Sequence, residues 1–391
     1  MRATIAREAF WPTESQEILL RAALLPAPEG VAAWQAWKEQ NDLVGSHHDI
    51  GSFRLLPLVY KNLVAAGVDD PLLPRLKGIY RFSWCANQRL FHDAAGAVQQ
   101  LQDAGIRTLV LKGAALSALH YQNRGLRPMS DVDVLVPVSQ VTQAIERLRR
   151  FGWRTSHLVE EDFSYRHATQ LVNEDGREFD LHWHAFYECL RADADDDLWR
   201  RAVPLTLQDV RTLALDPGDA LLHTVVHGMR WDEVPTIRWI PDAMAILKSA
   251  GDRVDWSRVL EQAGRRRLLL RFGRGLGYLH ERFDAAVPDE VLTRLRAHRP
   301  AYMERMEYRY LGLGIQERAR VVLGHYPFHL VDYLRFAAGQ GPVRKVLGFP
   351  EYLRYRFGVD GRSRLVGLVL RHAVRKARKV IGPKSAADAR I

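Results

Sequence analysis

Asp131 and Asp133 stand two residues apart in Asp131-Val132-Asp133-Val134-Leu135-Val136. In an extended strand that spacing projects both carboxylates from one face and sends the valines to the other. Two carboxylates so close repel each other unless a cation lies between them, and a hard cation such as magnesium prefers carboxylate oxygen. A third acid, Asp180, lies in Glu178-Phe179-Asp180-Leu181-His182-Trp183-His184, where the same alternation puts Glu178, Asp180, His182 and His184 on one face. Asp131, Asp133 and Asp180 are therefore the candidate metal ligands. Three such acids suit paired ions that stabilise the attacking and leaving oxygens of a displacement at phosphorus. His182 and His184 could orient a ligand, act as a base or simply pack.

The candidates for phosphate contact are Lys112, Gly113 and Arg127. Lys112-Gly113 follows the apolar run Ile106–Leu111 as a tight strand-to-helix turn, where backbone N–H groups can hold phosphate oxygens and the lysine adds a point charge. Arg127, four residues before Asp131, carries a guanidinium whose fork matches phosphate.

Positioning these residues calls for a small α/β unit. A helix from about Tyr80 to Ala104, ended by Gly105, leads into the strand Ile106–Leu111. A helix through Ala114, Leu116, Leu119 and Tyr121 follows, stopped by Gly125 and Pro128 before the Asp131–Val136 strand. Val141–Phe151 reads as an amphipathic helix, and Trp153–His157, Ser164–Asn173 and Glu178–His184 as strand material. Upstream, apolar residues from Ser15 to Gln102 recur at helical spacing. Beyond Pro204 the chain reads as mostly helical: 217–229, 237–250, 256–263, 268–283 and 289–312, with a basic amphipathic helix at about 363–381. The expected division is a helical region at 1–104, a mixed-sheet core at 105–200, a helical domain at 201–340 and a basic tail at 341–391, making the fold class α/β (α+β).

At 391 residues the chain can build two or three cores. Its hydrophobic content of 47% and charged content of 26% are those of an ordinary globular protein. A formal net charge of +10 favours an anionic partner such as a nucleotide, a nucleic acid or an acidic membrane surface. Cys85 and Cys189 are the only cysteines and have no metal-ligand spacing, which argues against a disulfide framework or a cysteine zinc site. With no secretory signal and no run of about 18 apolar residues, a cytoplasmic location without a transmembrane segment is expected.

The combination Leu111-Lys112-Gly113-x-x-Leu116, Gly125-Leu126-Arg127, Ser130–Val136 and Phe179–His184 resembles the bacterial uncharacterised nucleotidyltransferase family of the polymerase-β-like superfamily. His223-x-x-x-His227 and Arg238-Trp239-Ile240-Pro241-Asp242 resemble that family's helical portion. The resemblance spans about Tyr80 to Phe283. It implies a polymerase-β-like core, two magnesium ions (Mn2+ being possible) and an NTP donor whose NMP passes to an acceptor with release of pyrophosphate. The acceptor could be a small molecule, a peptide, a protein or RNA. One departure is that the superfamily's Gly-Ser turn reads Gly113-Ala114 here, so a serine hydroxyl is missing from the phosphate end. That departure supports the alternative of a noncatalytic nucleotide- or nucleic-acid-binding module.

Other patterns point to packing. His223 and His227 share a helix face but lack a neighbouring glutamate and a third ligand for zinc. Arg238 and Asp242 at i, i+4 could pair along one helix, hold His227 or reach the nucleotide. Gly273-x-Gly275-x-Gly277 follows no strand and does not make a dinucleotide turn. The basic tail could face an anionic membrane, nucleic acid, solvent or the helical domain.

Overall fold

The computed structural model describes residues 8–43, 45, 49–155, 163, 165–230, 237–313, 325–337 and 341–357, with 359, 361, 363, 364 and 367. It divides into two compact units, Met1–Gly312 and Leu313–Ile391.

The first unit opens with five helices: α1 (Glu14–Leu24), α2 (Glu29–Gln40), α3 (Ile50–Phe53), α4 (Leu56–Ala65) and α5 (Leu73–Asp103). Thr13 caps α1 through a reciprocal pair of hydrogen bonds with Gln16, a local signal that satisfies two otherwise orphaned donors. Trp34 and Trp37 of α2 are buried and stacked, and Trp34 Nε1 donates to Asp70, which also takes Lys38. Helix α5 begins at Leu73 rather than near Tyr80, because Pro74 is tolerated in its first turn, where its missing N–H would have no partner.

The sheet holds six strands among the described residues, in the order β3-β4-β2-β1-β6-β5. They are β1 (Leu109–Leu111), β2 (Asp131–Leu135), β3 (Ala168–Val172), β4 (Glu178–His182), β5 (Val203–Leu207) and β6 (Val210–Ala214). β2 runs antiparallel to β1 and parallel to β4, and β1 runs parallel to β6. The fold is thus the expected mixed α/β arrangement with helical flanks. The hairpin β5–β6 occupies 203–214, where no element was expected, inside the span 201–340 read as mostly helical. Its alternation is regular, with Leu205 and Leu207 buried and Pro204 and Thr206 exposed, and Gln208 takes φ +52° in its two-residue turn. Pro204 is accommodated on the edge strand, where a ladder N–H is dispensable.

The period-2 rule sorts the sheet's two faces. Val132, Val134, Phe179, Leu181 and Val110 pack with Phe91, Ala94 and Val98 of α5 and with Ala144, Ile145 and Leu148 of α7 (Val141–Arg150), after α6 (Lys112–Leu116) in the chain. On the other face Leu109, Leu111 and Leu135 join the core of the helical part. That part comprises α8 (Asp196–Arg201), α9 (Pro217–Gly228), α10 (Trp239–Ala250), α11 (Trp256–Arg265), α12 (Leu269–Phe283), α13 (Asp289–Ala297) and α14 (Tyr302–Leu311). The span expected as one helix over 289–312 is two, broken around Pro300. Of the expected strand 153–157, Arg154 forms a single bridge to Val172, and residues 156 and 157 lie outside the described residues. Gly275 lies inside α12, where an added Cβ would meet Met229 Sδ at 2.9 Å and come closer still to Val225, so this glycine serves helix packing. No helix among the described residues is long and apolar enough to cross a membrane.

The second unit pairs α15 (His325–Phe336) with α16 (Pro342–Phe357). Tyr333, Phe336, Phe349 and Tyr352 pack between them, and the Tyr352 hydroxyl donates to Asp332 at 2.6 Å. The helix expected over 363–381 lies almost wholly outside the described residues.

Candidate active site

Parallel pairing of β2 with β4 sets Asp133 directly beside Asp180, and antiparallel pairing with β1 sets Leu111 on the other side of Asp133. Asp133 is buried; its Oδ1 accepts from Lys112 Nζ at 2.5 Å and from His182 Nε2 at 3.0 Å. Both donors meet the same oxygen, which leaves Oδ2 for a further ligand. Burial alone would raise the Asp133 pKa, but the Lys112 ammonium and the His182 hydrogen bond outweigh it and hold the carboxyl well below its usual range. At Asp180 the pull of Lys112 is outweighed. Burial, then the charges of Asp133 and Asp131, push its pKa up to about 7, and its Oδ1 is buried with no hydrogen-bond partner.

Ligand atoms of Asp133, Asp180 and His182 lie within 4.8 Å of one another. Asp131 shares the face with Asp133 by alternation, is half-buried, and stands outside that trio. The donors fit a divalent cation: one carboxylate is already ionised and the other is held partly protonated for want of positive charge. His182 is kept neutral by burial and by Lys112, so Nε2 carries the proton given to Asp133. It orients the carboxylate as a histidine partner does around metal ligands. His184 instead lies at 3.3 Å from Asp195 through Nδ1, beyond the end of β4.

Lys112 takes φ +45°, a left-handed conformation costly for a residue with a side chain. It stands where β1 turns into α6, a bend that delivers its ammonium to Asp133. Gly113 follows because there is no room for a side chain: a Cβ would lie 2.8 Å from Met129 Sδ and closer still to Arg127 Nη1.

Arg127 is buried, and its Nε and Nη2 each donate to one oxygen of Asp242 at 2.8 Å. Tyr121 donates to the same Asp242 at 2.9 Å. From the opposite side Asn87 of α5 donates to the carbonyls of Arg124 and Arg127. The segment preceding β2 is thus gripped by α5 and α10, which sets where the carboxylate strand begins. Arg238 and Asp242 do not form the intrahelical pair their spacing allowed, because Asp242 is taken by Arg127. Arg238 Nη1 donates to the Pro128 carbonyl at 3.0 Å. Burial and the nearby charge of Arg127, with Arg54 adding to them, lower its pKa to about 10 against the pull of Asp242 and Asp131. Asn87 and Tyr121 carried no motif of their own, and Asp242 stood out only as the end of Arg238–Asp242, with Arg238 as its candidate partner. Only the fold brings them to this segment.

His223 Nε2 faces the Ala185 carbonyl at 2.9 Å and its ring stacks on His227 at 5.8 Å, a packing arrangement rather than a zinc pair. Burial keeps five histidines neutral: His120, with its pKa near 4, His223, near 3, and His167, His182 and His227, also shifted down. As pH falls through 6.5 the unfolded chain takes protons that these native rings refuse. Each such ring costs about 1.4 kcal/mol of stability per pH unit until its native pKa is reached. Asp180 and Asp219, both pushed to about 7 chiefly by burial, act in the opposite sense between pH 7 and 4. Five bases outweigh two acids, so the urea midpoint should fall from pH 6.5 to 4.5. A midpoint that rises across that window would contradict the assignment of neutral histidines.

The sheet register, the acidic face and the basic turn define a protein of the nucleotidyltransferase class. Residues 52–284 match the family described as uncharacterised nucleotidyltransferase. The chain belongs to that family, and nucleotidyl transfer is its reaction class. No curated protein matches it in sequence. Among solved structures it is similar to the lincosamide antibiotic adenylyltransferase LnuA in its lincomycin-bound form, at 13% identity and a TM-score of 0.28, over 38% of this chain and 90% of that one. It is also similar to the antibiotic-resistance factor ANT(2'')-Ia, at 14% identity and 0.34, over 50% and 98%. A third is an antigenic nucleotidyltransferase-like protein from Paracoccidioides brasiliensis, at 14% and 0.33, over 52% and 96%.

Proposed function

We propose that this protein transfers an NMP from an NTP to an acceptor hydroxyl and releases pyrophosphate, using magnesium held by Asp131, Asp133 and Asp180. The observation that carries the reading is Asp180, a carboxylate in register with an ionised neighbour, with a buried oxygen that has no partner. A divalent cation satisfies both acids at once. Bound there, the metal supplies positive charge against the phosphate oxygens.

The chain's own residues do the rest. The acceptor oxygen attacks the α-phosphorus, the bond to pyrophosphate breaks, and the electron pair leaves with pyrophosphate while the acceptor loses its proton. Lys112, whose ammonium contacts Asp133, would be the group that reaches a phosphate oxygen if Asp133 held a cation. Arg127 holds α10 to the segment before β2, so its part is to position. The second phosphate cation in this reading is Arg238, whose Nε and Nη2 remain for an anion and whose surroundings set Arg127 and Arg54 against Asp242 and Asp131. These cations take the place of the missing turn serine.

Two measurements test this. Wild-type protein with Mg2+, each α-labelled NTP and cell extract as acceptor source should transfer label and release pyrophosphate. Nucleotide binding without transfer, with acceptor supplied across several extracts, would support the noncatalytic module instead. Arg238→Ala should raise the KM for NTP about tenfold or more, the value of one charge-assisted phosphate contact. An unchanged KM would remove Arg238 from the triphosphate.

A further inference from the structure

Residues 341–391 contain thirteen Lys and Arg against three Asp and Glu, so they account for the whole net charge of +10, and the preceding 340 residues sum to zero. The same segment opens with α16, whose inner face packs Phe349 and Tyr352 on α15. Its outer face carries Val343, Val346 and Leu347, which are 68%, 73% and 65% exposed, with Pro350 exposed beside them. Positions 343, 346, 347 and 350 form one stripe on a helix. Three aliphatic side chains two-thirds in water on a single stripe have no partner among the described residues.

We propose that this outer face of α16 docks on an anionic lipid surface and holds the enzyme at a membrane. A bilayer interface takes aliphatic side chains into its acyl boundary while its anionic headgroups attract the positive charge that residues 341–391 carry, so it uses both halves of the pattern. A nucleic acid would use the cations and leave the valines and leucine in water, since its contacts are made by charge and by stacking on aromatics. The inference is independent of how the active site is read.

The test is flotation of the full chain with vesicles of pure phosphatidylcholine, or of phosphatidylcholine with one-third phosphatidylglycerol. Anionic vesicles should bind at least tenfold more protein than neutral ones, and 0.5 M salt should release it. The double substitution Val346→Asp and Leu347→Asp should lower binding at least tenfold while circular dichroism stays unchanged, since both side chains are exposed. Equal recovery with both vesicle types, or binding that survives the double substitution, would overturn the proposal. So would a labelled RNA that binds where vesicles do not, or a wild-type dimer that the substitutions convert to monomer without any vesicle binding.

Discussion

Asp133→Asn should abolish metal-dependent nucleotidyl transfer, lowering kcat by at least about 10^3-fold, with far-ultraviolet circular dichroism unchanged. The substitution keeps the shape of the side chain and removes its charge. Asp133 is buried in register with Asp180 and is the acceptor for both Lys112 and His182, so one change weakens the proposed cation site, frees the ammonium and unties the imidazole. Losses of about 10^2 to 10^3 follow when a single preorganised electrostatic group is removed from an active site, and a metal ligand does more than one such group. Asp131→Asn should also lose transfer, by a smaller factor, because Asp131 is half-buried and outside the convergent trio. If Asp133→Asn kept a tenth of wild-type kcat, the carboxylate pair would not be the metal site.

Asp242→Ala should be the most destabilising single truncation around the active site, at about 3–5 kcal/mol. The side chains of Arg127 and Asp242 are each 5% exposed, and losing the acid leaves a guanidinium buried without its counter-charge. Tyr121 loses its acceptor in the same step. Urea unfolding should show a lower midpoint with an unchanged slope. Replacing the pair together, Arg127→Met with Asp242→Leu, should recover most of the stability, because the penalty comes from the orphaned charge. Transfer should remain impaired in the double variant, since α10 would no longer fix the start of β2. Full activity there would show that the pair serves stability alone.

Much of this protein is legible along the chain. The alternation of acids and valines in β2, and of acids with Phe179 and Leu181 in β4, follows from strand geometry and one buried face, which any sequence of that pattern must obey. Capping at Thr13, the stop at Gly105 and the Lys112-Gly113 turn are equally local. The motifs around them carried the family. The hairpin β5–β6 went unassigned because its strands are short and its turn, Gln208-Asp209, lacks the glycine that usually marks a two-residue hairpin.

What tertiary structure alone decided is which charges meet. Arg127, with a guanidinium suited to phosphate, is bound to Asp242, 115 residues away. Arg238, spaced for a pair along its own helix, is left with its forked donors beside the carboxylate strand. Asn87, which matches no motif, holds the segment that starts that strand. Local sequence specifies elements through backbone geometry and capping, which act over a few residues. The partner of a buried charge depends on desolvation and on the few positions where distant elements cross, and those exist only once the chain is folded.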